Sequence, residues 1–207
     1  MTEPDPVPPG EGLRERKRAH SRATTVEVAL ELFAERGLEA VTVADICAAA
    51  QIAPRTFFRY FSTKEDVLAE PAREMAVRVE AALAAAPAEL GDAEALTAAL
   101  RELGGYVLDH RAQLALFFRV AATSSAVRAN PFLHLSGQER RLTEQLVRRR
   151  PVTGPADWRT RLAVARAVAA FRIWLDDLAT SDPATSDPAT RDLPDPLGHL
   201  DEVLAAR

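Results

Sequence analysis

The sequence is short of cysteine and of aromatic residues, and it has no long apolar run. Its one cysteine, Cys47, excludes an internal disulfide bond and agrees with a reducing compartment. No apolar stretch approaches the length that crosses a membrane. The first residues, MTEPDPVPPGEG, have neither the basic start nor the apolar core of a signal peptide. We therefore expect a cytoplasmic protein in which residues 1–12 form a disordered tail.

Signs of catalysis or metal binding are also lacking. The histidines, His20, His110, His134 and His199, show no ligand spacing, and a single cysteine cannot complete a zinc site. There is no glycine-rich phosphate loop and no local motif that pairs a nucleophile with a base. The sequence therefore predicts no catalytic residues, no metal site and no cofactor, and an enzyme is the function class that it supports least.

Apolar residues recur at helical spacing through most of the 207-residue chain, and no segment shows the alternation of a strand. A tandem TSDPA repeat interrupts this pattern. Its proline, aspartate and serine content predicts a flexible linker at 180–194. The sequence therefore predicts an all-α fold, with helices at about 14–36, 42–50, 54–61, 62–86, 92–108, 110–121, 124–149, 156–179 and 195–206.

Capping signals mark several of these helix ends. Gly37 is expected to end the first helix in a left-handed conformation. Thr42–Asp45 and Ser62–Glu65 both have the spacing of a capping box, in which a hydroxyl and a carboxylate satisfy free backbone amides. Pro54 suits the first turn of the helix that it opens, because an amide there has no intrahelical partner.

Charge is unevenly distributed in this chain of formal net charge −4. Five basic residues accompany one acid between Arg14 and Arg22, and three basic residues accompany no acid between Cys47 and Lys64. Two basic stretches in an acidic protein indicate either a face turned toward phosphates or two solvated helix faces. Charge alone favours the solvated faces.

The stretch APRTFFRYF, from Ala53 to Phe61, holds four aromatic residues in a chain that has only 8 Phe, 2 Tyr and 2 Trp. On a helix, Phe57 and Phe61 share one face, while Arg55 and Arg59 share another. The phenylalanines are expected to pack on the preceding helices. With a short helix and a three-residue turn before it, this stretch predicts a helix-turn-helix. The outward face of such a second helix enters the DNA major groove, where Arg reads guanine and Thr or Phe contacts the thymine methyl group.

The segment ALELFAERGLEAVTVADICAAAQIAPRTFFRYFSTKEDVL, Ala29 to Leu68, resembles the DNA-binding domain of the TetR family of bacterial transcriptional regulators. The resemblance implies an all-helical homodimer with a three-helix DNA-binding domain at 13–66 and a larger ligand-binding and dimerisation domain at 67–207. It implies core positions for Phe33, Ile46, Phe57 and Phe61. It implies that the DNA contacts come from Thr42, Arg55, Thr56, Phe58, Tyr60 and, on backbone phosphates, Lys64. The outward face of the helix adds Arg59 to these predicted contacts.

Three positions depart from the family pattern. Gln51 stands where the family usually has the glycine of the turn, so a residue with a side chain is expected to adopt a left-handed conformation. Ala53 replaces the usual Ser or Thr, which removes one helix cap. Phe58 stands where Tyr is common, and it cannot donate a hydrogen bond to phosphate.

The second half of the sequence is less explicit. Two apolar stripes make Phe117, Phe118, Phe171 and Trp174 candidate ligand-binding residues, although such stripes are more often core or subunit interface. The resemblance implies a dimer interface of paired C-terminal helices, at 156–179 and 195–206, and a pocket for a small apolar or amphipathic molecule. The FF pair and FRIWLDD are similar to regulators related to the mycofactocin system, some of which respond to fatty acyl-CoA. An acyl-CoA-like effector is therefore one expectation.

Together these features predict a ligand-responsive regulator, a repressor that the effector releases from a palindromic operator in double-stranded DNA. The alternative is a helical small-molecule-binding or scaffold protein that no longer binds DNA, and Gln51 and Ala53 are the residues that favour it. Pro71 leaves a second question open, because it predicts either a kink near Glu70 that acts as a joint or a static break and restart of the helix.

Overall fold

The computed structural model describes residues 9–123, 135–149, 157–180 and 195–206, and these residues form helices and turns without a β-strand. The predicted all-α fold class is therefore confirmed. The linker expected after Thr180 and the start of the helix expected at 124–149 lie outside the described residues. In chain order the helices are α1 Pro9–Arg36, α2 Val43–Ala49, α3 Pro54–Tyr60, α4 Lys64–Leu68, α5 Glu70–Ala85, α6 Asp92–Asp109, α7 Arg111–Thr123, α8 Leu135–Arg149, α9 Trp158–Thr180 and α10 Pro196–Ala205.

The chain divides into two compact units. The first comprises the residues up to Glu70 together with the part of α7 from Leu116 onward. The second comprises Pro71–Ala115 together with α8, α9 and α10. The division falls between Glu70 and Pro71, and the domain boundary expected at 66/67 stays a prediction.

The first helix is longer than its apolar pattern indicated. It begins at Pro9 rather than at residue 14, so part of the expected tail is helical. Proline is common at the first position of a helix, where the missing N–H removes no bond. The remainder of the expected tail, residues 1–8, lies outside the described part of the chain.

The core of the first unit is built by α1, α2, α3 and α4, with α1 in contact with α2 and α4 and α2 in contact with α3. All four predicted core residues are buried, namely Phe33, Ile46, Phe57 and Phe61. Gly37 ends α1 with a φ of 82°, and its amide donates to the carbonyl of Phe33 at 3.0 Å. This single bond is the simple left-handed helix end that the sequence predicted.

The capping prediction is confirmed for α2 and wrong by one residue for α4. At α2 the Thr42 hydroxyl accepts from the Asp45 amide at 3.2 Å, and the Asp45 carboxylate accepts from the Thr42 amide at 2.8 Å. At α4 the cap is Thr63, not Ser62. The carboxylate of Asp66 accepts from the amides of both Ser62 and Thr63 at 3.2 Å. The aspartate therefore selects the cap three residues before it.

The helix expected at 62–86 is two helices. α4 ends at Leu68, Ala69 caps it, and α5 begins at Glu70 with Pro71 as its second residue. In the first turn of a helix the missing N–H of proline removes no intrahelical bond. A break and restart is therefore observed, and a kink within one continuous helix is not.

In the second unit, α9 packs against α6, α8 and α10, and α10 packs against α6. Trp174 of α9 is fully buried, and its indole N–H donates to the carbonyl of Pro196 at 2.7 Å. A Cβ on Gly104 of α6 would lie 2.6 Å from the Leu200 side chain of α10. Glycine therefore permits the close approach of α6 and α10.

Candidate nucleic-acid interface

The turn between α2 and α3 is fully formed. Gln51 has a φ of 54° and donates its amide to Ala48 at 3.3 Å, and the Ile52 amide donates to Cys47 at 3.0 Å. These are the two bonds of a Schellman helix end, in which glycine usually takes the left-handed position. The expectation that Gln51 adopts this conformation is confirmed. Ala53 begins α3 without a side-chain cap, as also expected.

The aromatic residues of α3 divide between a buried face and an exposed one. Phe57 is fully buried, whereas the side chain of Phe58 is 58% exposed. The two rings meet edge to face with their centroids 5.4 Å apart. The buried ring therefore supports an exposed apolar side chain on the outward face of the helix.

Arg55 lies on this outward face, one turn before Arg59. It is exposed and makes no ion pair or hydrogen bond with the described residues. Arg59 instead donates to the Tyr60 hydroxyl at 3.1 Å, with its guanidinium 4.9 Å from the ring centroid. The hydrogen bond from Arg59, with smaller contributions from Ser21 and Arg18 of α1, lowers the pKa of Tyr60. Arg55 is thus the arginine of α3 that has no partner among the described residues.

Two other predicted DNA contacts already use their donors within the protein. The Thr42 hydroxyl donates to the Asp45 carboxylate at 2.6 Å, and this bond, together with the one from the Thr42 amide, lowers the pKa of Asp45. The Lys64 ammonium donates to the carbonyls of Leu38, Glu39 and Val41 at 2.6, 3.1 and 2.8 Å. Either side chain must give up an internal hydrogen bond to donate one to a phosphate.

The first basic stretch lies along the start of α1. Arg14, Arg16, Lys17 and Arg18 are all exposed. Arg22, the last member of this stretch, instead joins parts of the first unit. Its guanidinium lies 2.9 Å from the Glu70 carboxylate and 5.2 Å from the centre of the Phe61 ring. Sequence reasoning missed this role, because no local spacing connects Arg22 with residues so far along the chain.

The candidate ligand-binding residues occur as two aromatic pairs, one in each unit. Phe117 is buried beside the half-buried Phe118, with 5.0 Å between their centroids. Phe171 and Trp174 are both buried, with 5.2 Å between theirs. These positions stay predictions.

Neither a metal cluster nor a membrane span is found in the part of the chain that the structure describes. No group of three or more His, Cys, Asp and Glu residues there could hold a metal ion. None of the helices in those ranges is long and apolar enough to cross a membrane.

Comparison with known proteins agrees with this helix-turn-helix. Residues 26–70 match the family model of bacterial regulatory proteins of the tetR family. The chain is 40% identical over 103 residues to TcmR, an HTH-type transcriptional regulator of Streptomyces glaucescens. The N-terminal part of the chain is thus similar to regulators of the TetR family. The predicted resemblance is thereby confirmed at the level of the family.

The sequence matches cover half of the chain or less, whereas a structural match covers most of it. The alignment covers 50% of this chain and 46% of TcmR. A second relative is MftR of Mycobacterium tuberculosis, which is named for the transcriptional regulation of mycofactocin biosynthesis. It is 42% identical to this chain over 59 residues, and these residues are 28% of this chain and 30% of MftR. A crystal structure of a TetR-family regulator from Mesorhizobium loti covers 90% of this chain and 94% of its own, with a TM-score of 0.53 and 16% identity. That structure shows a shared fold, and the mycofactocin-related sub-family stays a prediction.

Proposed function

We propose that this chain is a ligand-responsive transcriptional regulator that binds DNA through α3. The observation that carries the proposal is Arg55, an exposed arginine that has no partner among the described residues, on a helix whose opposite face is buried. An arginine so placed is free to donate two hydrogen bonds to guanine in the major groove. Thr56, Phe58, Arg59 and Tyr60 are the other contacts proposed on α3, and Thr42 is proposed before α2.

The formed turn favours this function over a helical protein that has lost DNA binding. Gln51 and Ala53 were the residues that favoured the alternative. Gln51 nevertheless adopts the left-handed conformation of the turn, and α3 begins at Pro54 without the missing cap. The two departures therefore cost stability without displacing α3 from its place after α2.

The remaining parts of the proposal are properties that the similarity to TetR-family regulators implies. The regulator is a cytoplasmic homodimer. Its two-fold symmetry places two copies of α3 on two half-sites, so the operator is palindromic. It acts as a repressor, and a small apolar or amphipathic molecule, such as an acyl-CoA, releases it from the operator. Phe117, Phe118, Phe171 and Trp174 are the proposed effector-binding residues, and no catalytic role is proposed.

The test is selection of the tightest-binding duplex from a randomised library by the full-length protein. We expect an enriched sequence with two-fold symmetry and an affinity that falls steeply with salt concentration. Arg55→Ala should weaken binding to this duplex by about 1–3 kcal/mol and relax the preference at one base position. A library without any enriched sequence would favour the alternative function.

Arg140→Ala is the matched control. Arg140 lies on α8, is 77% exposed and has one acidic neighbour, Glu144, at 4.0 Å. Its removal should leave the affinity for the selected duplex unchanged. Equal losses on the selected duplex and on random DNA for Arg55→Ala would show that Arg55 reads no base.

A further inference from the structure

The side chain of Lys64 joins the two ends of the helix-turn-helix. Its ammonium donates to the carbonyls of Leu38, Glu39 and Val41, in the turn that leads from α1 into α2. Val41 immediately precedes Thr42, which caps α2, and Lys64 begins α4 shortly after Phe61 ends α3. One side chain thus connects the entry to α2 with the exit from α3.

The number of donors matches the number of acceptors. An ammonium group has three N–H donors, and each of the three carbonyls accepts one. Among the described residues, no backbone amide donates to these carbonyls. Leu38 and Val41 are buried, whereas Glu39 is exposed. Loss of the ammonium would leave the carbonyls of Leu38 and Val41, whose bonds to Lys64 are partly buried, without their protein partner.

We infer that Lys64 is a positioning residue that fixes the orientation of α2 and α3, and that it does not act as a phosphate ligand. This inference rests on the proposed DNA-binding function and revises the role that the sequence predicted for Lys64. A phosphate contact would require the ammonium to leave at least one carbonyl. The geometry instead uses its charge inside the protein, where it holds the base-reading helix against the rest of the first unit.

The two roles differ in their dependence on salt. Each phosphate that a protein neutralises contributes about 0.9 to the slope of log affinity against log salt concentration. Lys64→Met keeps an unbranched apolar stem and removes the ammonium. We expect it to lower the affinity of the folded dimer for the selected duplex about tenfold, because α3 is held less firmly. The salt slope should equal that of the unsubstituted protein.

Stability has to be separated from positioning. Thr63→Ala is the matched control, because it removes the cap of the same helix while the ammonium and its carbonyl partners remain. Both substitutions should lower the free energy of unfolding, measured in urea. Binding is titrated at a temperature at which both variants are folded, with the active fraction taken from stoichiometric titration. Under these conditions only Lys64→Met should weaken binding.

The outcomes distinguish this inference from the proposed function. A slope reduced by about 0.9 in Lys64→Met would show that Lys64 neutralises a phosphate, and would overturn the inference while DNA binding stands. An unchanged affinity of folded Lys64→Met would overturn it as well, because the bonds would then support folding alone. If the unsubstituted protein shows no salt-dependent binding to duplex DNA, the proposed function fails and the inference fails with it.

Discussion

At the scale of single residues, Gln51 shows how a departure from a family pattern is accommodated. Its left-handed backbone has a φ of 54°, and both hydrogen bonds of the helix end are formed. A residue with a Cβ costs about 1–2 kcal/mol in this conformation, and neighbouring contacts must offset that cost. The turn is therefore formed, but with strain that glycine would not carry.

Gln51→Gly should consequently stabilise the protein. Relief of the left-handed strain outweighs the greater entropy of glycine in the unfolded chain, so we expect a gain of roughly 0.5–1 kcal/mol in the free energy of unfolding. Urea denaturation at a fixed protein concentration measures it. Gln51→Ala is the control, because it keeps the Cβ and should give no such gain. A loss of stability in Gln51→Gly would mean that the Gln51 side chain stabilises the turn by a contact that outweighs the strain.

Single residues also mark where sequence reasoning stops. Gly37, Gln51 and Ala53 were predicted correctly, because each conformation follows from the residue type and its immediate neighbours. The cap at Thr63 was missed by one position, because Ser62 and Thr63 each precede an acid by three residues. The partners of Lys64 could not be predicted at all, since they lie in a turn far back along the chain and local spacing does not reveal such contacts.

At the scale of helices, the apolar period and the capping signals located most elements. The helices expected at 92–108 and 156–179 are observed as α6, Asp92–Asp109, and α9, Trp158–Thr180. The errors occur where proline or tertiary contacts decide the outcome. α1 extends back to Pro9, and Pro71 divides one expected helix into α4 and α5.

Long cationic side chains satisfy helix ends that belong to other elements. Arg149 of α8 donates to the carbonyls of Leu83, Ala86 and Pro87 at the end of α5. Arg166 of α9 likewise donates to the Ala206 carbonyl, just after α10, at 2.7 Å. Carbonyls at the end of a helix have no intrahelical partner and carry partial negative charge, so arginine is well suited to them.

One face of α9 is apolar and exposed. Trp158, Leu162 and Ile173 are 57%, 49% and 48% exposed, and their spacing places them on one side of the helix. Ala165 and Ala169 fall between them on the same side and are half-buried. The proposed function includes a homodimer, and this α9 stripe is the surface that we expect a second copy to cover.

A charge placed in the α9 stripe should therefore separate the dimer. In an isologous interface Leu162→Glu introduces two carboxylates, one from each copy, and burial opposes both. We expect the dissociation constant of the dimer to rise at least about tenfold, which is about 1.4 kcal/mol. Sedimentation velocity over a concentration series measures it. Val77→Glu is the control, because Val77 of α5 is apolar and 63% exposed but lies outside the stripe. An unchanged dimer in Leu162→Glu would place the interface elsewhere.

At the scale of the whole molecule, the chain changes units at an interrupted helix. α4 belongs to the first unit, the division falls between Glu70 and Pro71, and Pro71 is the second residue of α5. Arg22 of α1 forms an ion pair with Glu70, the last residue of the first unit, and the same guanidinium lies over the ring of Phe61, which caps α3. A movement of α5 would therefore act on Glu70 and, through Arg22, on α1.

Pro71→Ala tests whether this interruption transmits the effector signal. Alanine at this position supplies the N–H that proline lacks and can join α4 and α5 into one helix. The two copies of α3 must match half-sites that are about 34–36 Å apart, or a multiple of that distance. A change in the direction of α5 at Pro71 would change the spacing of the two α3 helices, and so would alter operator affinity without changing any DNA contact. We expect Pro71→Ala to remain folded and to bind the operator, while the coupling between effector and operator falls by about 1 kcal/mol or more from a usual 1–3 kcal/mol.

The measurement is operator affinity with and without an effector identified by native mass spectrometry of the purified protein. The quantity compared is the ratio of the two affinities, because a ratio cancels any change in DNA binding itself. Pro87→Ala is the matched control, since Pro87 is exposed between α5 and α6 and lies away from the division of the chain. Its ratio should equal that of the unsubstituted protein. If Pro71→Ala also keeps that ratio, the break in the helix is a static feature, and the signal reaches α3 by another route.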